Sequence, residues 1–321
     1  GQAADLQPSI VVEGVSGEER KNIEALLTLP TGIWQEGRLD EILARRIVRQ
    51  APRRVREALE PFGYYHPEVR AEWKTDEAGK SFLSVRVDLG EPVLVGDVLV
   101  RIEGQGAGDR SLQDRVETFP LRRGDVLRHD RYDKAKEDLL NKAVALGYLD
   151  AAFSVHAMRI SLERRLGDIE LVLNTGILYR FGEVVFQELA GYPEPFLRRY
   201  ITFRPGEAFS YDKMARTQAN YVHADRFRAV VVNVRKEAAQ EGHLPVEIGL
   251  SPGPTKSVRL GAGYGTDTGP RATLRYRDVN MFDQGQEWHA EAKISPVFQG
   301  ISSRYLFPSR RDWQTYTALS A

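Results

Sequence analysis

Residues 61–70, PFGYYHPEVR, are echoed at 145–154, ALGYLDAAFS, and again, more loosely, at 224–233, ADRFRAVVVN. A repeat at a fixed interval constrains a chain more than any local propensity, because each copy must build the same supersecondary unit. Gly63 and Gly147 lie 84 residues apart, and a second set of landmarks agrees. LGEPVLVGDVLVRIEG at 89–104 matches TGILYRFGEVVFQELAG at 175–191, with Gly90 and Gly96 answered by Gly176 and Gly182, 86 residues on in both cases. The third copy departs: Asp225 and Arg226 stand where the second has Gly147 and Tyr148.

Within each copy the hydrophobic period changes in a fixed order. Leu39, Leu43, Ile47, Val55 and Leu59 recur at helical spacing before the first glycine, with Ile42 and Ala58 widening the stripe. Pro52 is expected to kink or divide that helix. Tyr132, Ala135, Leu139, Leu140 and Val144 form the second stripe, and Tyr211, Met214, Ala215 and Ala219 a weaker third. Two segments with strand alternation follow each glycine, as in Leu83, Val85, Val87, Leu89 and in Ile169, Leu171, Leu173. Each unit therefore reads strand, helix, helix, strand, strand over roughly 80 residues, an internal repeat that precedes any other inference. The glycine is expected to end the second helix in a left-handed conformation, with the aromatic beside it packing back on the helices.

After residue 254 helical periodicity stops. Val258, Leu260, Ala262 and Tyr264 alternate with Arg259 and three glycines; Ala272, Leu274 and Tyr276 alternate with Thr273, Arg275 and Arg277. Trp288, Ala290, Ala292 and Ile294 alternate with His289, Glu291 and Lys293. A water-soluble sandwich also alternates, but its apolar face is rich in Val, Ile and Leu. Small and aromatic residues on one face and dense charge on the other are the pattern of a transmembrane β-barrel. The turns TDTGP and DQGQ separate the strands, and five strands fit before Ala321. A closed bacterial barrel needs about eight or more, so the chain is expected to be part of a longer protein.

Composition narrows the function classes. With 45 basic and 45 acidic residues among 321 the net charge is zero, which gives no electrostatic case for nucleic acid. The absence of cysteine excludes thiol catalysis and thiolate metal sites. No run of about 18 apolar residues exists to form a spanning helix, which leaves closed barrels as a membrane route. The start lacks the regions of a secretory signal, leaving a cytosolic protein or one from which a signal has been removed. Six scattered histidines show no metal-ligand spacing. GQGAGDR at 104–110 does not complete a dinucleotide fingerprint and reads as a mobile turn. Ser16 in GVSGEE fails the nucleophile elbow and reads as a helix N-cap, with Glu19 completing a capping box. No catalytic, cofactor or metal residue is assigned, and the chain is expected not to be an enzyme.

The segments IVVEGVSG at 10–17, ALEPFGYYHPEV at 58–69, GDVLRHDRYDKAKEDLLNKAVALGYLDAAF at 124–153, RFGEVVF at 180–186 and GAGYGTDTGPRATLRY at 261–276 carry a resemblance over nearly the whole chain. Their order and spacing resemble the outer-membrane assembly superfamily related to BamA, and within it the TamA family. The resemblance implies an α+β chain of three tandem POTRA (β-α-α-β-β) domains followed by the first antiparallel strands of a transmembrane β-barrel. The boundaries are then a tail at 1–8, POTRA domains at 9–90, 91–176 and 177–254, and barrel strands at 255–321. It further implies an outer-membrane location with the POTRA domains in the periplasm, and insertion or translocation of nascent autotransporters and other outer-membrane clients. The implied partners are a TamB-like protein anchored in the inner membrane and the lipid bilayer. Alternatives within the same resemblance are a secretion pore and phospholipid transport between the membranes with TamB. The third copy's missing Gly-Tyr pair departs from the pattern.

Such a module leaves outer strands whose backbone groups can accept another strand. The candidates are Val69, Ala71 and Trp73 in the first module, Phe153 and Val155 in the second, and Val230 and Val232 in the third. The first barrel strand, Ser257–Gly265, is the sharper candidate, through Val258, Leu260, Gly261, Gly263 and Gly265: glycines strip one face and weaken the strand, or leave room for bulky neighbours. The basic run Arg45, Arg46, Arg49, Arg53 and Arg54 is either solvated helix surface or a contact for anionic lipid or an acidic partner.

Overall fold

The computed structural model describes residues 7–35, 37–266 and 269–321. Residues 1–6 of the expected tail, and Asp267 and Thr268 of the TDTGP turn, lie outside the described residues. The first module runs β1 (Ser9–Glu13), α1 (Gly17–Leu26), a short hairpin of β2 (Trp34–Gln35) and β3 (Arg38–Leu39), α2 (Glu41–Leu59), β4 (Glu68–Thr75) and β5 (Ser81–Asp88). The second runs β6 (Leu94–Glu103), α3 (Arg110–Glu117), α4 (His129–Ala145), β7 (Ala152–Ser161) and β8 (Leu166–Asn174). The third runs β9 (Arg180–Phe186), α5 (Glu194–Arg198), α6 (Tyr211–His223), β10 (Phe227–Val234) and β11 (His243–Pro252). Then come β12 (Lys256–Gly265), β13 (Gly269–Met281), β14 (Gln286–Ile294), β15 (Gln299–Pro308) and β16 (Tyr316–Ser320).

All three modules share one topology. The last strand is central, pairing parallel to the first and antiparallel to the middle one: β1-β5-β4, β6-β8-β7 and β9-β11-β10. The central strand turns one face onto the module's core, which is why Leu83, Val85, Val87 and Ile169, Leu171, Leu173 are buried as their alternation predicts, while Arg86 and Asp88 on the other face of β5 are exposed. Each module has its own apolar core, and burial of each such side chain contributes roughly 1.5–3 kcal/mol. The chain forms two compact units, one ending at Ala143 and resuming over Asp150–Gly176, the other made of Val144–Leu149 and the residues from Ile177 onward.

Several local expectations are corrected. Pro52 does not divide α2, which is continuous; Asp40 caps it by accepting from Leu43 N at 2.8 Å, and Ala44, Ile47, Ala51, Val55 and Ala58 hold the helix on the core across the missing backbone donor. Ile42 is 74% exposed and does not widen the stripe, because the apolar face runs through Ala44 instead. In α6 the buried face is Met214, Thr217 and Tyr221, while Tyr211 and Ala215 face solvent. Ser16 occupies the N-cap position of α1 without a side-chain cap bond, and Gly17, which opens the helix, has φ +62°. GQGAGDR is not a mobile turn. Its 3-10 turn, Gln105–Gly108, is pinned by the buried Thr175, whose hydroxyl accepts from Gly106 N at 2.9 Å and donates to Glu103 O at 3.0 Å.

The last five strands form one antiparallel sheet in chain order. Its register aligns Val258, Tyr276 and Ala290 in one row and Leu260, Leu274, Ala292 and Ile301 in the next. Arg259, Arg275, Glu291 and Ser302 form a row of the opposite parity, with Arg275 paired to Glu291 at 3.0 Å. The apolar face is open: Leu260 and Ile301 are both 83% exposed.

Candidate functional site

The exposed sheet borders are where the sequence places the candidate pairing residues, and the four strands concerned, β4, β7, β10 and β12, each border a sheet. In β4, Val69, Ala71 and Trp73 turn inward onto the first core, and Trp73 Nε1 donates to Ala44 O at 3.1 Å. Their side chains therefore hold the strand in place, and what β4 offers outward is backbone. The same holds for Phe153 in β7 and for Val230 and Val232 in β10, which pack on their own cores; Val155 of β7 is half-buried.

The three borders differ in regularity. β4 pairs with β5 in an unbroken register from Glu68–Asp88 to Thr75–Ser81. β7 is interrupted between Phe153 and Val155, where Ser154 Oγ donates to Val172 O at 3.2 Å, and β10 is interrupted between Phe227 and Ala229. Bulges twist a border and blunt it against further pairing. The opposite borders of the second and third modules are covered by loops: Val95 N donates to Asp125 O and Leu127 N to Val93 O, and in the same way Phe181 N donates to Glu207 O and Phe209 N to Tyr179 O. Of the three middle strands, β4 is the one whose pairing register is unbroken.

β12 pairs with β13 without interruption from Lys256–Asp278 to Gly265–Gly269. No second strand pairs with it among the described residues. Val258, Leu260 and Tyr264, which share one face, are 61%, 83% and 76% exposed, so the apolar face of this strand is unpacked. The two glycines answer the room question differently. A Cβ on Gly261 would meet only Thr273 Cβ at 3.9 Å, an ordinary contact, whereas one on Gly263 would meet Arg271 Nε at 3.0 Å. Gly263 leaves room for Arg271; nothing in the structure requires Gly261.

The five candidate arginines of α2 do not act as one patch. Arg45 and Arg53 pair with Glu41 and Glu57 one turn away, exposed contacts of small net value. Arg54 donates to Leu26 O at 3.2 Å, bracing α1 against α2, while Arg46 and Arg49 point to solvent.

The repeated glycine does more than end a helix. Gly63 has φ +91° and Gly147 φ +104°, as expected, yet each is also pressed by the strand and loop of the following module. Gly63 O accepts from Val93 N at 2.8 Å, and Gly147 O from Tyr179 N at 2.9 Å. A Cβ would stand 2.9 Å from Leu127 O in the first case and 3.1 Å from Phe209 O in the second. Around Gly63 the joint is completed by Tyr65 Oη against His129 Nε2 at 2.6 Å and by Arg128, which binds Glu18 and Asp130 at 2.9 Å and lies over the Phe62 ring. Burial pushes the Tyr65 hydroxyl up to about 12, with the Glu60 charge adding to it. Burial also lowers the His129 imidazole below its usual range, against the opposing pull of Asp133, Glu60 and Asp130.

At the third joint the substituted pair has a distinct role. Asp225 keeps the positive φ, at +53°, and Arg226 is 1% exposed. Arg226 donates to Val279 O, to Glu287 Oε1 at 2.5 Å and to Tyr316 Oη at 3.1 Å, with its guanidinium over the Tyr192 and Phe196 rings. Arg277 bridges Asp225 and Glu287 at 3.6 Å each. Sequence reasoning marked this pair only as a departure; its chemistry, opposite charges answered by Arg277 and Glu287 in the next sheet, was the available signal.

Residues 9–89 match the family described as POTRA domain TamA domain 1. Among solved structures, BamA from Haemophilus ducreyi lacking POTRA domains 1–3 is similar with a TM-score of 0.53 and 14% identity, over 68% of this chain and 40% of that one. The BamA POTRA3-5 structure from Haemophilus influenzae has a TM-score of 0.40 and 13% identity, over 76% of this chain and 95% of that one. CdiB from Escherichia coli has a TM-score of 0.43 and 12% identity, over 68% of this chain and 40% of that one. The chain spans 40% of the length of the first of these structures, and that likeness is one of fold.

Proposed function

We propose that this chain is the periplasmic and barrel-initiating portion of an outer-membrane assembly factor of the TamA kind, which promotes insertion or translocation of autotransporters and related clients by backbone strand addition. The observation that carries the reading is the sheet β12–β16: five antiparallel strands in chain order, with β12 paired to β13 along all ten residues, and an exposed apolar face that includes Leu260 and Ile301. Exposed apolar area of that extent marks contact with lipid or protein, and an open strand recognises a client by main-chain hydrogen bonds with little demand on its sequence. β4 in the first module supplies an earlier contact on the periplasmic side, where a TamB-like partner competes with clients for the same border.

In this reading the activity is non-enzymatic, and the five strands lie in the outer membrane with the three modules in the periplasm. Reconstitution of the full-length protein into phospholipid vesicles with an unfolded autotransporter tests it. Protease-resistant, membrane-inserted client well above that in protein-free vesicles is expected; insertion at the protein-free level would remove the assembly function.

A further inference from the structure

The first two modules each carry an apolar corner at the same place, where the end of the first helix meets the second helix. In the first module Leu27, Pro30, Leu43 and Ile47 line a cleft of about 310 Å³, with Arg46 and Arg54 on its rim. In the second, Phe119, Pro120 and Leu139 line one of about 350 Å³, rimmed by Arg115, Arg131 and Lys134 with Asp138 as the acid of the lining. The corners share a sequence signature that the opening glycine repeat does not include: Thr28-Leu29-Pro30 and Thr118-Phe119-Pro120, with Thr202-Phe203-Arg204-Pro205 as the third instance.

In the third instance a loop is seated beside this corner. There Thr202 Oγ1 donates to Lys213 O at 2.8 Å and lies 3.0 Å from Thr217 Oγ1, drawing the two segments together. Arg199, three residues before the threonine as Arg115 is before Thr118, donates twice to the carbonyl of Asp312 at 3.0 and 2.7 Å. Trp313 then stacks on Tyr200 with ring centroids 5.5 Å apart. A loop presenting an acceptor and an aromatic ring is seated on the arginine. In the second module Thr118 instead donates back to Asp114 O at 2.7 Å, and Arg115, Arg131 and Lys134 are exposed.

We infer that the helix corners of the first two modules are docking sites for an acidic extended segment of a partner protein, whose carboxylates meet the rim cations while an aromatic or large aliphatic side chain enters the cleft. Charge selects the occupant: two arginines rim the first corner, and three cations against one acid the second. An acidic rim contact adds steering and specificity around an apolar anchor. The volumes lie at the lower end of ligand clefts, suited to a short segment rather than a folded domain. The inference is independent of strand addition, since these corners lie on the helices and not on the sheet borders.

A fluorescein-labelled peptide, Glu-Glu-Phe-Glu-Asp-Trp-Glu-Glu, titrated into the full-length protein in detergent, tests it by anisotropy. The paired variants Arg46→Glu with Arg54→Glu, and Arg115→Glu with Lys134→Glu, change the two corners separately. Arg101→Glu, an exposed residue of β6 outside both, controls for net charge. Each paired variant is expected to weaken binding about tenfold while keeping the parent's circular-dichroism spectrum at the assay temperature, the control to leave binding unchanged, and replacement of Phe and Trp in the peptide by Ser to abolish it. Binding unaffected by both pairs, equally weakened by the control, or replaced by binding to phosphatidylglycerol vesicles through the same residues would overturn it.

Discussion

Gly63 and Gly147 combine two constraints at one position: a left-handed backbone and a neighbouring carbonyl where a side chain would begin. An L side chain there meets both the conformational cost and the clash. Gly147→Ala is therefore expected to lose about 1–3 kcal/mol, the cost of a strained backbone position, read from the denaturant midpoint of the isolated protein. Arg226 carries the opposite logic, since a buried charge is held by what surrounds it. Arg226→Met removes the nearest partner of Glu287 but leaves it Arg277 and His289, so it is expected to cost less than the about 3–5 kcal/mol of a buried charge left unpaired, part of it regained in the double variant Arg226→Met with Glu287→Leu; a double-mutant cycle on unfolding free energies checks the coupling. His129 supplies a pH response. Its imidazole is lowered in the folded state, so the unfolded chain binds the proton more readily, and stability is present above the unfolded value and lost as pH falls below about 6.5. Unfolding curves across pH 5 to 8 should show this loss, and His129→Gln should flatten it. At this scale the sequence disclosed the left-handed glycine but not the reason it recurs. The carbonyls that press on Gly63 and Gly147 come from residues such as Leu127 and Phe209, too distant along the chain for periodicity to register.

Among the elements, alternation placed the strands well because a strand facing a core on one side has one answer: Leu83, Val85 and Val87 turn inward while Arg86 and Asp88 turn out. Helix stripes were less secure at their ends. Ile42 and Tyr211 sit in first turns, where a position can share the spacing of a buried face and still project past the core. Register faults were not visible at all, because a bulge leaves the local composition unchanged, and these faults separate the candidate borders. Photo-crosslinkers placed at Arg70 on β4, Ser154 on β7 and Ala229 on β10 should capture client or partner most strongly at β4, whose register is unbroken. Equal yields at the three sites would show that bulges do not set the preference.

For the whole molecule, the order of periods along the chain, three α+β units and then unbroken alternation, was enough to give the architecture. The sequence also located β12, since its apolar residues and glycines alternate so cleanly. It could not show that the strand pairs with β13 alone among the described residues, which is a property of pairing rather than of composition. That pairing carries the proposed function, in which a client strand continues the sheet beyond β12. Cysteine pairs scanned between β12, at Ser257, Arg259, Gly261 and Gly263, and a client strand stalled during assembly measure this directly. Strand addition predicts disulfides in one register, the client partner moving two residues for every two along β12. Crosslinks scattered without register, or none above a control position on α6, would contradict it.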